Sequence, residues 1–212
     1  MYISRVEIDM DNRKKIRDLT HVGAYHNWVE RSFPSEIQEK SRSRKLWRLD
    51  AIGGKSYLLV VSETKPELEM FERYGVKGSV QIKAYHHFLF SLQKGNRMRF
   101  RVVLNPVKTF SKGVGNRGET KPIYTTEEQM NYLIERAEKN GFLLNAEDFS
   151  VVEKGNVVLK KANQSSIRLN KAVYEGNLTI SDVELFKNLL TLGMGKHKAY
   201  GFGMMTVIPM VD

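Results

Sequence analysis

The chain has 212 residues, of which 41% are hydrophobic and 27% are charged, so it can form a packed core and is not expected to be disordered. It contains no cysteine, which excludes disulfides, thiolate-bound zinc and a cysteine nucleophile. A net charge of +10 favours a polyanionic partner, above all nucleic acid, although charge alone also fits a merely soluble basic surface.

The first residues of the chain lack the apolar core of a signal peptide. No run approaches the ~20 apolar residues that a membrane-spanning helix needs. We therefore expect a cytoplasmic protein that does not associate with a membrane.

Predicted elements in the first half follow the order βαββαβ, which is typical of ferredoxin-like folds. Residues 2–8 alternate between two faces and predict a strand, and Asp11 is placed to cap a short helix that runs through Leu19. A strand pair is predicted at 45–51 and 57–62, joined at Gly53 and Gly54. A helix is predicted to start near Thr64 and Pro66 and to end at Gly75, with Leu68 and Phe71 pointing inward. The last predicted element of this half is a strand at 79–85.

The second half repeats this order loosely. In residues 97–104 arginine alternates with apolar residues, which predicts a strand with one cationic and one apolar face. Thr125 and Glu128 form a capping box for a helix that ends near Gly141. The other predicted elements are two or three strands between 149 and 180, a helix capped by Ser181 and Glu184 that ends at Gly193, and a strand at 204–209.

We predict from this order an α+β fold made of two tandem ferredoxin-like (RRM-like) βαββαβ domains. The first domain spans residues 1–88 and the second spans residues 95–212, with residues 86–96 as the connection between them. The repeat is one of architecture, because the two halves show no visible sequence repeat.

Proton-transfer chemistry near neutral pH points first to the histidines, which are His21, His26, His86, His87 and His197. Residues 20–31 follow the first helix, and Gly23 predicts a kinked turn that displays their side chains. Tyr25, His26 and Arg31 supply there the hydroxyl, the acid–base group and the cation that RNA cleavage by its own 2′-hydroxyl requires. On spacing alone a structural role for His26 stays open, since a histidine near tryptophan and tyrosine is more often structural.

A metal site is the competing interpretation of the same histidines. His21 and His26 are five residues apart, but no carboxylates are arranged beside them to complete a ligand set. His86 and His87 are predicted in a strand, where their side chains would lie on opposite faces. We therefore predict no metal site and no cofactor.

A glycine-rich stretch near the C-terminus, residues 193–203, is a candidate phosphate-binding loop. It matches neither a Walker A loop nor a dinucleotide-binding turn, and a tight helix-to-strand connection is an equally good interpretation. The residues of this stretch that we assign to RNA binding are Gly193, Gly195, Lys196, His197, Lys198, Gly201 and Gly203.

Residues 158–171 form a second basic region around a polar, hairpin-like turn. Lys160, Lys161 and Arg168 carry its charge. A basic hairpin can enter a groove of structured RNA or follow its backbone, although an ordinary solvated hairpin has the same appearance.

Five motifs in order then resemble a known family. They are LTHVGAYHNWVERSFP, KLWRLD, RFRVVLNPVK, YEGNLTI and GMGKHKAYGFGMM, and they extend over nearly the whole chain. Together they resemble the repeat-processing endoribonuclease of type I-E CRISPR systems, the CasE subunit of the Cascade complex. The family has two ferredoxin-like domains, as expected above.

The resemblance implies roles for individual residues. The catalytic histidine of the family falls at His26, seven residues before Phe33, and Arg31 falls where some members have an assisting lysine. The tyrosine that the family often has three residues before the histidine is absent, because that position is Gly23 and the tyrosine is Tyr25. The basic hairpin that grips the RNA stem matches Lys160 and Lys161, and the glycine-rich loop matches residues 193–203.

The resemblance also implies an activity. The family cuts CRISPR repeat RNA at the base of its stem-loop without a metal, leaves a 2′,3′-cyclic phosphate and stays bound to the product within Cascade. We expect this chain to have the repeat RNA and the other Cascade subunits as partners and to be a monomer when isolated. The alternative is a non-catalytic RNA-binding scaffold subunit, and His21 is the alternative to Tyr25 as a helper of His26.

Overall fold

The computed structural model describes residues 1–111, 113, 115, 118–160 and 165–210. The first half of the chain forms one antiparallel sheet with helices packed against it. Its elements are β1 Tyr2–Glu7, α1 Arg13–Ile16, α2 Val22–Arg31, α3 Pro34–Gln38, β2 Leu46–Ile52, β3 Lys55–Ser62, α4 Leu68–Glu72 and β4 Gln81–Ala84.

The four strands of the first sheet are ordered β2-β3-β1-β4. β1 and β3 are paired in antiparallel register from Tyr2 opposite Ser62 to Glu7 opposite Tyr57. Val6 in this sheet is fully buried, as the alternating pattern predicts, and packs in one cluster with Trp28 of α2 and Phe71 of α4. This arrangement is ferredoxin-like and confirms the predicted fold class for the first half.

The second half has the same plan with one insertion. Its elements are α5 His86–Ser91, β5 Arg97–Leu104, β6 Val107–Phe110, β7 Glu119–Pro122, α6 Thr126–Ala137, β8 Phe142–Leu143, β9 Phe149–Leu159, β10 Ile167–Ile180, α7 Val183–Leu192 and β11 Met205–Pro209.

The second sheet is ordered β11-β5-β10-β8, and β9 also pairs with β10. β8 and β9 thus share the place of one strand of the ferredoxin-like plan. The short hairpin of β6 and β7 is the insertion, and the sequence patterns did not indicate it. None of the helices in the described part of the chain combines the length and the apolar character needed to cross a lipid bilayer.

The two halves share their hydrophobic cores. One buried cluster joins Leu46 and Val61 of the first sheet with Phe100 and Leu104 of the second. The other joins residues around α2 with Val103, Leu169 and Phe202 of the second half. The division of the chain at residues 88 and 95 stays a prediction.

Several local predictions need correction. Residues 22–31 form the continuous helix α2, in which Gly23 is the second residue, so there is no kinked turn. His86 and His87 begin the helix α5 within the predicted connection, and their ring centroids are 4.0 Å apart, so they are not on opposite faces of a strand. Leu68 is 57% exposed and does not point inward.

Two helix caps differ from the predicted ones, and α4, which was predicted to start near Thr64 and Pro66, begins at Leu68 with Glu67 as its cap. Asn12 caps α1 in place of Asp11, and its side chain accepts a hydrogen bond from the Lys15 backbone N–H. Asp182 caps α7 in place of Ser181. For α1 and α7 the cap lies one residue later than predicted, and its side chain accepts a hydrogen bond from the backbone N–H three residues further along.

Candidate active site

The helix α2 positions the segment that contains His26. Its apolar side is anchored in the core by Trp28 and Val29, and the Trp28 indole N–H donates a hydrogen bond of 3.1 Å to the Met70 carbonyl. This anchoring fixes the rotation of the helix. Tyr25 and His26 consequently lie on the side of α2 that meets the glycine-rich stretch of the second half.

His26 is half-buried against Tyr200. The two rings meet edge to face, with centroids 5.5 Å apart and planes at 70°. Tyr200 ends a single 3-10 turn, Lys198–Tyr200, within the glycine-rich stretch. We use the name His26 cleft for the surface where α2 at His26, this turn and the segment 42–45 that leads into β2 meet; Trp47 of β2 contacts both Tyr25 of α2 and Ala199 of the turn.

The surroundings of His26 set its protonation. Burial lowers the pKa of His26 below its ordinary value; Glu30 raises it, and the positive charges of Arg42 and Lys45 lower it further. The net shift is downward, so the neutral imidazole predominates at pH 7. A neutral imidazole can accept a proton, which is what a general base does.

Tyr25 forms part of the wall behind the cleft. Its ring stacks on Trp47 with centroids 6.1 Å apart, and its centroid is 6.4 Å from that of Trp28. Burial raises the pKa of Tyr25, so the phenol stays protonated at neutral pH and can donate a proton or a hydrogen bond.

Arg31 and His21 lie further from this arrangement. Arg31 is exposed at the last residue of α2, and the charges that act on His26 belong to Glu30, Arg42 and Lys45 instead. His21 precedes the helix, with its ring beside Gly23, where an added Cβ would lie 2.9 Å from two ring atoms. The structure therefore brings Tyr25 close to the cleft wall, but it does not bring His21 or Arg31 into contact with His26.

The glycine-rich stretch is held against β2 by close backbone contacts. A Cβ on Gly201 would lie 2.8 Å from the Trp47 ring, and one on Gly193 would lie 2.7 Å from Leu46. A Cβ on Gly203 would lie 2.2 Å from the Met194 carbonyl oxygen. The Trp47 indole N–H donates a hydrogen bond of 2.9 Å to the Ala199 carbonyl. These glycines allow the loop to pack on the protein, as the tight-connection interpretation expects.

The basic side chains of the glycine-rich stretch lie in different surroundings. Lys198 Nζ lies 3.4 Å from the Gly193 carbonyl oxygen, and burial together with Arg44 lowers the pKa of Lys198. His197 is exposed and adopts a left-handed backbone conformation with φ 61°. Lys196 Nζ instead lies 3.3 Å from the hydroxyls of Thr109 and Thr120 on the inserted hairpin.

A cleft of about 530 Å³ lies between α6 and the inserted hairpin, and it contains Gly195 and Lys196. Its lining also includes Glu128, Glu135 and Arg136, so its charges are mixed. It does not contain His26.

The basic hairpin of β9 and β10 approaches the start of α2. Lys160 is exposed at the end of β9, and its carbonyl oxygen would lie 3.0 Å from a Cβ on Gly23. Arg168 is exposed on β10, opposite Val158. Lys161 lies outside the described residues.

Sequence reasoning missed two contributions to the cleft. Tyr200 was within a quoted motif but was not singled out, and its proximity to His26 depends on a tertiary contact. The segment Arg42, Ser43, Arg44 and Lys45 is a visible basic run directly before a predicted strand, and that run was the available signal. Within the described ranges, no group of three or more His, Cys, Asp or Glu side chains is arranged to hold a metal ion.

Comparisons with known proteins identify relatives of this chain. A family model described as CRISPR associated protein matches residues 1–209. The CRISPR-associated endoribonuclease Cse3 of Thermus thermophilus is 27% identical over 220 residues, which cover 99% of this chain and 100% of that protein. The CRISPR system Cascade subunit CasE of Escherichia coli K12 is 27% identical over 128 residues, which cover 57% of this chain and 62% of that protein.

The fold also matches a solved structure of the CRISPR endoribonuclease Cse3 bound to a 19-nucleotide RNA. The TM-score is 0.79 at 24% identity, and the match covers 99% of this chain and 100% of that one. This likeness confirms the tandem arrangement of two ferredoxin-like folds.

Proposed function

The chain belongs to the family of CRISPR-associated proteins, and from this membership we propose that it is an endoribonuclease that cleaves CRISPR repeat RNA. The proposed substrate is the repeat stem-loop, and the proposed product is a mature guide RNA with a 2′,3′-cyclic phosphate. The observation that carries the proposal is the half-buried, predominantly neutral His26 in a cleft surrounded by cations. The names of the relatives Cse3 and CasE support it.

In the proposed reaction His26 acts as general base. The neutral imidazole removes the proton of the 2′-hydroxyl, and the 2′ oxygen attacks the adjacent phosphorus. The bond from phosphorus to the 5′ oxygen breaks, the cyclic phosphate forms, and the departing 5′ oxygen takes a proton from the imidazolium or from water. Each atom in this sequence comes from the RNA, the imidazole or water. From the resemblance to the metal-independent family, we propose that no metal takes part.

Tyr25 and Arg31 are the proposed helpers. Tyr25 is a positioning residue, because its ring stacks on Trp47 and thereby fixes the face of α2 that carries His26. Arg31, at the exposed end of α2, is the proposed contact to the RNA backbone beside the cut site.

The RNA stem is proposed to be bound by the basic hairpin, through Lys160, Lys161 and Arg168, together with the glycine-rich stretch. Lys198 is the cation at the start of the turn that carries Tyr200. Because phosphate contacts release counterions, binding should weaken steeply as salt rises. We further propose that the protein keeps its product and acts as a Cascade subunit in the cytoplasm.

The test is incubation of the purified protein with labelled repeat RNA in the presence of EDTA. We expect one cut at the base of the stem and a product that carries a cyclic phosphate. His26→Ala should abolish the cut while RNA binding persists, and His87→Ala, an exposed histidine on α5, serves as the matched control. A 2′-deoxy substitution at the cut site should block cleavage without weakening binding.

Several outcomes would contradict the proposal. Intact RNA in EDTA with full cleavage after magnesium is added would refute the metal-free reaction. Full activity of His26→Ala would refute the role of His26. Tight binding with no cleavage under any of these conditions would favour the non-catalytic scaffold.

A further inference from the structure

The segment between α3 and β2 is held in place by one buried carboxylate. Glu36 is 5% exposed, and its oxygens accept hydrogen bonds from the Ser43 backbone N–H and hydroxyl, both at 2.9 Å. They also accept from Lys45 Nζ at 2.6 Å and from the Thr64 hydroxyl at 2.5 Å. A buried carboxylate with four donors is fully satisfied, so it fixes the groups around it.

This anchor determines which side chains of the segment remain exposed to solvent. Lys45 turns inward, where it is 6% exposed and lies 4.8 Å from the centre of the Phe33 ring. Ser43 is tied to Glu36, whereas Arg42 and Arg44 on either side of it are exposed. The anchored segment thus presents two arginines to solvent.

Backbone strain marks the same region. Only two non-glycine residues in the described part of the chain have a left-handed backbone, Lys40 with φ 56° and His197 with φ 61°. Lys40 begins the segment, and His197 precedes the 3-10 turn that carries Tyr200. Such strain persists where the surrounding structure over-determines the conformation.

The segment that carries the two arginines leads into β2, where Trp47 contacts both walls of the cleft: its ring stacks on Tyr25 of α2, and its indole N–H donates a hydrogen bond to the Ala199 carbonyl of the turn. The charge of Arg42 acts on His26 of α2, and the charge of Arg44 acts on Lys198 of the glycine-rich stretch. Lys45 is neutralised by Glu36, but neither Arg42 nor Arg44 forms an ion pair with any residue that the structure describes. The cleft therefore carries uncompensated positive charge.

Resting on the proposed function, we infer that Arg42 and Arg44 clamp the scissile phosphodiester of the RNA and that Glu36 positions them. A phosphodiester supplies a negative charge that Arg42 and Arg44 can pair with, and guanidinium groups match phosphate oxygens in charge and geometry. As the 2′ oxygen attacks, negative charge builds on the phosphorane oxygens between the two arginines. Fixed cations stabilise that charge more in the transition state than in the bound substrate.

The test compares cleavage and binding in Arg42→Ala, Arg44→Ala and the control Arg17→Ala, which removes the same charge at an exposed site paired with Asp18. Single-turnover rates at saturating enzyme should fall at least about 10-fold for Arg42→Ala and Arg44→Ala and stay at the wild-type level for Arg17→Ala. Affinity for a 2′-deoxy, uncleavable repeat RNA should change by no more than about threefold in the three variants.

A pH–rate profile adds a readout that a purely structural effect would not change. Removing Arg42 takes a positive charge away from His26, so the pKa of His26 should rise. The acid limb of the cleavage profile should therefore move to higher pH in Arg42→Ala and stay in place in Arg17→Ala.

The role of Glu36 is tested by Glu36→Gln against Thr64→Val. Both variants lose an interaction of the same carboxylate, but only Glu36→Gln weakens its hold on Ser43 and Lys45. At a temperature where circular dichroism shows both variants folded, Glu36→Gln should cleave at least about fivefold more slowly than Thr64→Val.

Two results would overturn the inference while the wild type still cleaves. One is a wild-type rate at saturation in Arg42→Ala and Arg44→Ala, whatever their affinity. The other is an equal rate for Glu36→Gln and Thr64→Val. Failure of the wild type to cut repeat RNA would instead refute the proposed function, so the two failures are distinguishable.

Discussion

At the scale of single residues, the groups that surround His26 come from three parts of the chain. Glu30 lies one turn later on α2, Arg42 and Lys45 precede β2, and Tyr200 comes from the second half. Glu30 opposes the other influences, because its negative charge raises the pKa that burial and the cations lower. This opposition allows the pKa of His26 to be changed in either direction by substitution.

We expect cleavage by neutral His26 to rise with pH through a pKa below the ordinary histidine value of about 6.5. Glu30→Gln removes the carboxylate that raises this pKa, so the acid limb should shift to lower pH. The measurements are the pH–rate profile under single-turnover conditions and an NMR titration of the His26 ring. A shift to higher pH would contradict this assignment of charges.

At the scale of secondary-structure elements, the sequence was most informative about periodicity and caps. The alternation in residues 97–104 predicted β5 to the residue, and Thr125 does cap α6. The continuity of α2 through Gly23 was not predictable from composition. Glycine usually weakens a helix, but here it allows close approach of the His21 ring and the Lys160 carbonyl oxygen, neither of which is visible in a local pattern.

Only part of the candidate site was predictable from the sequence. His26 and the glycine-rich stretch were found because family motifs surround them. Tyr200 and Arg42 were not found, because their relation to His26 arises only when distant segments pack. Contacts of this kind follow from sheet pairing and core packing, which short-range patterns do not encode.

The glycine-rich stretch gives a prediction about its contact with β2. In Gly201→Ala the new Cβ would meet the Trp47 ring at 2.8 Å, in addition to the strain of φ +84°. We expect a loss of about 2 to 4 kcal/mol in the free energy of unfolding, together with slower cleavage. Gly95→Ala is the control, since it has a similar φ of +87° but open space around the new methyl group.

One outcome would contradict the prediction for Gly201→Ala. If Gly201→Ala and Gly95→Ala lose the same stability in urea denaturation, the contact with Trp47 contributes nothing beyond backbone strain.

The Glu36 anchor gives a prediction about acid stability. Burial alone would raise the pKa of Glu36, but hydrogen bonds from Lys45, Thr64 and Ser43 outweigh it and lower the pKa to about 2. The stabilisation is therefore fully present above the pKa of the unfolded chain and is lost as pH falls towards 2. We expect Glu36→Gln to be less stable than wild type by about 3 kcal/mol at pH 7 and the difference to shrink at pH 3 in urea denaturation.

At the scale of the whole molecule, Arg48 joins the two halves. It pairs with Asp50 at 2.6 Å on its own strand and donates hydrogen bonds to the carbonyls of Arg101 and Met204 and to the Thr206 hydroxyl. Both hydrophobic clusters also contain residues of both halves. The two ferredoxin-like folds are therefore expected to unfold together.

The prediction concerns Arg48→Met. Removal of the guanidinium leaves Asp50 and two carbonyls of the second half without these bonds, and we expect a loss of about 3 to 5 kcal/mol in the free energy of unfolding. Urea denaturation followed by tryptophan fluorescence and by far-UV circular dichroism should give coincident transitions in the wild type. Lys55→Met, which breaks an exposed ion pair with Glu7, should change little. Separate transitions for the two probes would show that the halves unfold independently.

The His26 cleft takes one wall from α2 and the other from a turn about 170 residues later in the chain. On a ribosome that adds about 5 to 20 residues per second, these walls are synthesised roughly 10 to 35 seconds apart. Until the turn at Lys198–Tyr200 has emerged, the nascent chain has no completed cleft. A chain cut short by a premature stop before this turn would therefore carry His26 without a completed cleft.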